Sequence, residues 1–190
     1  MYSENYLEYF NYMKKTSLLG NIYRRHLIFK TLKNYLKGRC LDIGCGIGSF
    51  VKYRNNTDAA DINPISIKHL INDGFNAFVI KKDKISVKDN TYDSLLMDNV
   101  LEHIQNPDNL LFECKRIIKT GGLFIIGVPG KKGFESEKDH KIHYNETKLV
   151  SKLNNFKFEH IKTFYKPFKL NLLDKYMKQY CMYSVFKSIK

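Results

Sequence analysis

Cys40 to Phe50 read CLDIGCGIGSF, a short apolar run that passes into three alternating glycines, Gly44, Gly46 and Gly48. A strand packs through its side chains, so bare positions at this spacing mark a turn where φ is positive or another group approaches the backbone. In an open parallel sheet, ligands sit beyond the carboxyl ends of the strands, where the strand order reverses. The turn after the first strand lies at that place, which makes this stretch the first candidate for a ligand site.

Working outward, the rhythm is one of alternating short strands and helices. RCLDIG is a first strand, followed by GSFVKYR as a short helix and TDAADI as a second strand. PISIKHLINDG has proline in its first turn and glycine at its end, the asymmetry of a helix. NAFVI and YDSLLMD supply strands three and four, PDNLLFECKRIIK an amphipathic helix ending at TGG, and LFIIGV a fifth strand stopped by Pro129. NETKLVSKLNN reads as another helix, and FKFEHIKTFY and CMYSVFKSI as late strands that form an antiparallel pair at one edge. Apolar, β-branched strands alternating with helices predict a parallel sheet covered on both faces.

Ahead of this unit, Ser3 to Leu36 carries a helical pattern: Tyr2, Tyr6, Tyr9, Phe10 and Met13, then Ile22, His26, Phe29, Lys33 and Leu36, with Gly38 as a stop. The organisation expected is an N-terminal helical cap over residues 1–37 and one compact unit over residues 38–190. The cap either covers a pocket or adds a packing layer.

The 190 residues suffice for one well-buried domain, and 43% hydrophobic with 27% charged residues describes a globular chain. No apolar run approaches a membrane span, and the first residues lack the basic start and apolar core of a secretory signal. Cys40, Cys45, Cys114 and Cys181 form no CxxC pair and no metal-ligand spacing with histidine. Reduced thiols, a cytoplasmic location and no metal are therefore expected. Lys and Arg outnumber Asp and Glu 32 to 19, a net charge of +13. That excess admits an anionic partner, but the lysines are scattered over the chain, as on an ordinary solvated surface.

The glycines depart from the dinucleotide fingerprint G-x-G-x-x-G, because the third arrives one residue early and Ser49 stands in its place. Asp61 closes the second strand about twenty residues on, where a carboxylate accepts hydrogen bonds from both hydroxyls of a ribose. The alternative for Asp61 is a turn-forming aspartate ahead of Asn63-Pro64. No phosphate loop follows the first strand and no lysine or arginine sits inside the turn. Asp42 would repel a pyrophosphate and suits a cationic ligand.

With these residues in place, CLDIGCGIGSF and DINP resemble the class I S-adenosylmethionine-dependent methyltransferases. So do DNTYDSLLMDNVLEHIQNPDNLLFECKRIIKTGGLFIIGVPG and DHKIHYNETKLVSKLNNFKFE, in order from about Cys40 to Phe158. The resemblance implies a Rossmann-like α/β three-layer sandwich, with a mostly parallel seven-stranded sheet, an antiparallel edge strand and preceding helices. It implies S-adenosyl-L-methionine as cofactor. Asp42, Gly44, Cys45, Gly46 and Gly48 match the family's methionine-binding turn, Asp61 and the adjacent Ile62 its ribose site, and Asp83 the region that contacts adenine. Asn99 matches the place where backbone carbonyls hold the cofactor's amino group.

Methyl transfer from a sulfonium is an in-line displacement on an activated donor, so alignment and exclusion of water supply much of the rate. A hydroxyl or protonated amine acceptor must still lose a proton, which directs attention to His103, His140 and His143 as candidate bases. Each has a structural alternative: a loop-closing residue for His103 and an exposed polar loop for the other two. Asp139 either orients His140 or is solvated. Residues 130–144 form a long polar loop, expected to act as a lid with glycine hinges over an acceptor pocket. The expected acceptor is a small metabolite, lipid precursor or saccharide, and the expected assembly a monomer or homodimer. The competing readings are methylation of RNA or DNA, disfavoured because DNVL stands where base methylation uses an N/D-P-P-Y/F turn, and an inactive cofactor-binding scaffold.

Overall fold

The computed structural model describes residues 6–15 and 18–190; Tyr2 and Ser3, where the helical pattern begins, lie outside them. The apolar runs assemble into one sheet of seven strands: β1 (Cys40–Ile43), β2 (Thr57–Asp61), β3 (Ala77–Val79), β4 (Tyr92–Asp98), β5 (Ile118–Pro129), β6 (Phe158–Lys166) and β7 (Cys181–Ser188). Their order is β3-β2-β1-β4-β5-β7-β6. The first five pair in parallel, and β7 runs antiparallel to both β5 and β6. The late antiparallel pair thus lies at one edge, with β6 outermost. The strand order reverses between β1 and β4, so the turns leaving these two strands diverge and open a crevice.

Period-two alternation distributes the core. Leu41, Leu95, Met97, Phe124 and Ile126 point to one face, where they meet Leu110, Leu111, Cys114 and Ile117 of α5 (Asp108–Ile117) and Leu149 and Leu153 of α7 (Glu146–Asn154). Cys40, Leu96, Ile125 and Tyr183 point to the other. There they meet Ile28, Phe29 and Leu32, carried by a wide π-type turn at Arg24–Phe29 and by α3 (Lys30–Tyr35), which continue α2 (Leu18–Tyr23). α4 (Pro64–Asn72) covers β2 on that same side through Ile67 and Leu70. Full burial of each such aliphatic side chain is worth about 1.5–3 kcal/mol, so the clusters on both faces of the sheet stabilise the three layers.

Caps and buried charges fix the connections. Asn63 Oδ1 accepts from the Ile65 and Ser66 amides at 2.9 and 3.4 Å, with Pro64 opening α4. The buried Arg54 guanidinium donates to the carbonyls of Leu36 and Gly38 and to Thr57 Oγ1, fastening the end of α3 to the start of the sheet. Buried Glu113 accepts from Arg116 Nη2 at 2.7 Å, Arg116 Nε at 2.9 Å and the Ile85 amide at 2.8 Å, pinning the segment after β3 onto α5.

Three local readings change. GSFVKYR forms consecutive turns instead of a helix, because Gly46 and Gly48 stand at φ 54° and 77° and too few residues follow to propagate one. The fifth strand begins at Ile118, paired with Tyr92, rather than at Leu123. The 130–144 loop contains α6 (Lys131–Glu135), and α8 (Asn171–Tyr176) follows β6.

Candidate functional site

The three glycines of the turn serve different ends. Gly44, at φ 76°, and Gly48 are closed in by the protein itself: a Cβ would stand 2.3 Å from Val100 Cγ2 at Gly44, and 2.3 Å from Leu70 Cδ2 at Gly48. Their bareness lets the turn pack against the segment after β4 and against α4. Gly46 differs, since a Cβ there meets only Met13 Cε, at 3.2 Å. Met13 of α1 (Tyr6–Lys14) lies over it, and among the described residues no backbone or core side chain closes on it as at the other two. The α1 helix is held there by Asn63 Nδ2 donating to the Tyr6 carbonyl at 2.9 Å and by an edge-on Phe10–His69 contact.

Two buried carboxylates flank the turn. Asp61, at the tip of β2, accepts from the Gly46 amide through Oδ2 and from the Asn63 amide through Oδ1, both at 2.8 Å. Burial raises its pKa, opposed by these amides and that of Ile62. Each carboxylate oxygen keeps further acceptor capacity, enough for a pair of vicinal hydroxyls. Asp42, 4% exposed on β1, is pushed up to about 8 by burial and by Asp98, with Arg24 opposing and Asp61 adding to the rise. Arg24 reaches over from the π-type turn to Asp98 Oδ2 at 2.7 Å, and Tyr183 donates to Asp98 Oδ1 at 2.9 Å. Asn99 follows in the left-handed region at φ 56°, its amide donating to the Gly127 carbonyl and its side chain to Asp98.

Cys45, also expected in the turn, is buried beside Val51 and Ala59. Ile62 is 42% exposed next to Asp61. Asp83 lies in a tight turn after β3, the strand whose Val79 pairs with Asp61; there Lys82 and Asp83 both take positive φ and Lys81 and Lys84 exchange backbone hydrogen bonds. Asp42, the glycines, Asp61 and Ile62 are therefore grouped at the ends of β1 and β2, and Asn99 at the end of β4.

The histidines divide. His103 and His140 face each other with ring centroids 4.6 Å apart, although 36 residues separate them in the chain. His140 Nε2 stands 4.0 Å from Oε1 of buried Glu102, and His140 Nδ1 donates to the Phe134 carbonyl at 2.8 Å. Both Glu102 oxygens lack a hydrogen-bond partner, and burial pushes this carboxyl up to about 8. Asp139 Oδ2 comes within 3.0 Å of His103 Nδ1, out of line for a hydrogen bond, and burial lowers the pKa of His103 against the pull of Asp139. Asp139 is therefore next to His103 and not, as one reading had it, the partner of His140. His143 is exposed and touches the edge of Phe134. The loop carrying these residues is anchored: Lys141 and Ile142 amides donate to the Glu102 carbonyl, and Gly130 and Gly133 allow close approach to Asp174, Tyr180 and the Lys178 carbonyl rather than hinging.

Sequence reading missed Arg24, Asp98 and Glu102. Glu102 adjoins His103 in LEH and was visible as a candidate; Arg24 lay in a segment whose helical register gave no sign that it would reach β4.

The donor set fits a cationic nucleoside better than a dinucleotide: two carboxylates flank a glycine turn whose Gly44, Cys45, Gly46 and Gly48 amides already bond within the protein, and no basic residue sits inside it to meet phosphate. The methyltransferase-domain family model matches residues 20–179. Uncharacterized protein MJ1123 of Methanocaldococcus jannaschii is 32% identical over 128 residues, covering 64% of this chain and 62% of that protein. The sterol 4-C-methyltransferase strm-1 of Caenorhabditis elegans is 32% identical over 117 residues, 55% of this chain and 35% of that protein. The chain thus spans about three-fifths or less of the curated relatives it matches. Among solved structures, a Thermotoga maritima protein described as a possible histamine N-methyltransferase superposes with a TM-score of 0.74 at 18% identity, over 94% of each chain. A methyltransferase from Archaeoglobus fulgidus gives 0.66 at 21%, over 90% of this chain and 98% of that one. Turn, strand order and family match converge: with S-adenosylmethionine as its cofactor, the chain belongs to the class I S-adenosylmethionine-dependent methyltransferases.

Proposed function

We propose that the chain transfers the methyl group of S-adenosylmethionine to an oxygen, nitrogen or carbon atom of a small metabolite, lipid precursor or saccharide. The observation that carries the cofactor half is the turn at Gly46, where a Cβ would meet only Met13 and the amide is held by Asp61 beside Asp42. In this reading Asp61 accepts the ribose hydroxyls, Asp42 faces the cationic end of the cofactor, and Asn99 offers its backbone to the amino group. Ile62 borders the ribose, and the segment around Asp83 the adenine. Met13 and α1 exclude water from the turn, and deprotonation of the acceptor falls to the Glu102, His103 and His140 cluster, with exposed His143 at the entrance. The small-molecule half is supported by a relative named for a sterol acceptor and by a fold neighbour described as a possible histamine N-methyltransferase.

Methylation of nucleic acid is the competing reading, favoured by the net charge of +13. Calorimetric titration with S-adenosylmethionine and NAD in parallel, repeated on Asp61→Ala, tests the cofactor site. Binding of NAD alone overturns it. A panel of small acceptors and RNA, read by mass gain of one methyl group, then tests the acceptor class, and methylation confined to RNA overturns the small-molecule reading.

A further inference from the structure

Glu102, His103 and His140 present donor atoms that all lie within 4.8 Å of one another. Glu102 is 1% exposed, and neither of its oxygens has a hydrogen-bond partner. An unpartnered buried carboxylate is costly unless a cation or donor meets it. The tautomer of His140 follows from its neighbour: the Phe134 carbonyl can only accept, so Nδ1 carries the proton and Nε2 turns a lone pair toward Glu102. A second hydrogen bond that fixes one imidazole nitrogen and frees the other is the usual support of a metal-bound histidine. His103 Nδ1 is buried too, with only the exposed Asp139 carboxylate beside it at 3.0 Å. Phe134, stacked on His140 with ring centroids 5.3 Å apart, holds that ring in place.

The geometry points to a divalent transition-metal site formed by Glu102, His103 and His140. Two imidazoles and one carboxylate suit Zn²⁺, Fe²⁺, Mn²⁺ or Co²⁺, and bonds of about 2.0–2.2 Å would draw the donors together by about an ångström. The ion would tie the turn at Leu101–His103, directly after β4, to the 130–144 loop, whose Lys141 and Ile142 amides already bond Glu102. Three protein donors leave the remaining coordination positions to water or to an oxygen of the methyl acceptor, so that with the ion bound a metal-held hydroxide rather than an imidazole takes the acceptor's proton; that second role rests on the methyltransferase reading, whereas the ion site does not. The cysteine spacing gave no hint of it, because the ligands are an adjacent Glu-His pair and a histidine from a distant loop.

The test uses chelator-stripped protein and the metals alone. Equilibrium dialysis against Zn²⁺, Mn²⁺ and Co²⁺, without cofactor, is expected to give one ion per chain, a Co²⁺ visible spectrum of low-symmetry nitrogen–oxygen ligation, and a higher Tm with metal. His140→Ala and Glu102→Gln should each weaken binding at least tenfold and abolish the Tm increase, while His26→Ala, at an exposed position, leaves both unchanged. X-ray absorption on the wild-type Co²⁺ protein, which needs no variant to fold, should count two imidazoles. Stoichiometry below a tenth of an ion per chain, binding retained in both variants, or a ligand count without imidazole overturns the site. Calorimetry with S-adenosylmethionine on the same stripped protein reports separately on the cofactor reading.

Discussion

Cofactor affinity is expected to rise steeply with pH, and Asp42 sets the slope. Buried on β1 and facing Asp98 and Asp61, its carboxyl is held at about 8 in the empty protein. If a sulfonium ligand binds the ionised form, binding below pH 8 must expel a proton. For a group titrating near 8, about 1% is ionised at pH 6 and about 25% at pH 7.5. Affinity should therefore increase about twentyfold across that interval, or about 1.8 kcal/mol, less the part lost near pH 7.5 where the ligand's own α-amino group also begins to titrate. The sign for stability of the empty protein is opposite. Asp42 keeps a proton that the unfolded chain releases above about pH 4, so stability falls as pH rises from there to about 8. Isothermal titration at pH 6.0, 6.5, 7.0 and 7.5, in two buffers of different ionisation enthalpy, should show nearly one proton released per S-adenosylmethionine at pH 6.5. Asp42→Asn should bind more weakly and lose the slope. A flat profile in the wild type, or the same slope in Asp42→Asn, would refute the reasoning.

The glycines give a paired prediction. Gly48→Ala places a methyl 2.3 Å from Leu70 at positive φ and should cost about 2–4 kcal/mol in chemical denaturation. Gly46→Ala meets only Met13 and should cost about 1–2 kcal/mol while weakening S-adenosylmethionine binding more than tenfold by calorimetry. Glu113, held at about 2 by Arg116, the Ile85 amide and Lys84, contributes stability that is complete above pH 4.5 and lost as pH falls toward 2. Glu113→Gln should flatten that limb of the acid-unfolding curve; an unchanged limb would remove Glu113 as its cause. Arg24→Ala leaves Asp98 with only Tyr183 and Asn99, and should lower Tm in a thermal scan while Arg24→Lys restores part of the loss.

The order of elements from Cys40 to Ser188 was legible because β-branched runs and helical spacing differ in period, and because Gly44, Gly48 and Pro64 punctuate them. The pairing of β7 between β5 and β6 was less visible: alternation in CMYSVFKSI marks a strand but not its neighbours. The grouping of the glycine turn with Asp61 followed from local spacing, since adjacent parallel strands bring their ends together. Arg24 on Asp98, and His140 on Glu102, are contacts over 74 and 38 residues, where no periodicity of the chain reports which side chains meet. GSFVKYR reads as a helix because no breaker follows Gly48, and the closeness of Gly48 to Leu70 that holds the segment in turns leaves no mark on the sequence.

The position of β7 has a consequence for assembly. The strand that fills the gap in the sheet comes after both of its neighbours along the chain, so a ribosome-bound polypeptide that stops before residue 181 has β6 with no partner and β5 with a bare margin of amides and carbonyls. Such margins recruit foreign strands. Closure of the molecule, and its escape from self-association, thus waits on the arrival of eight late residues threaded between two that have been waiting.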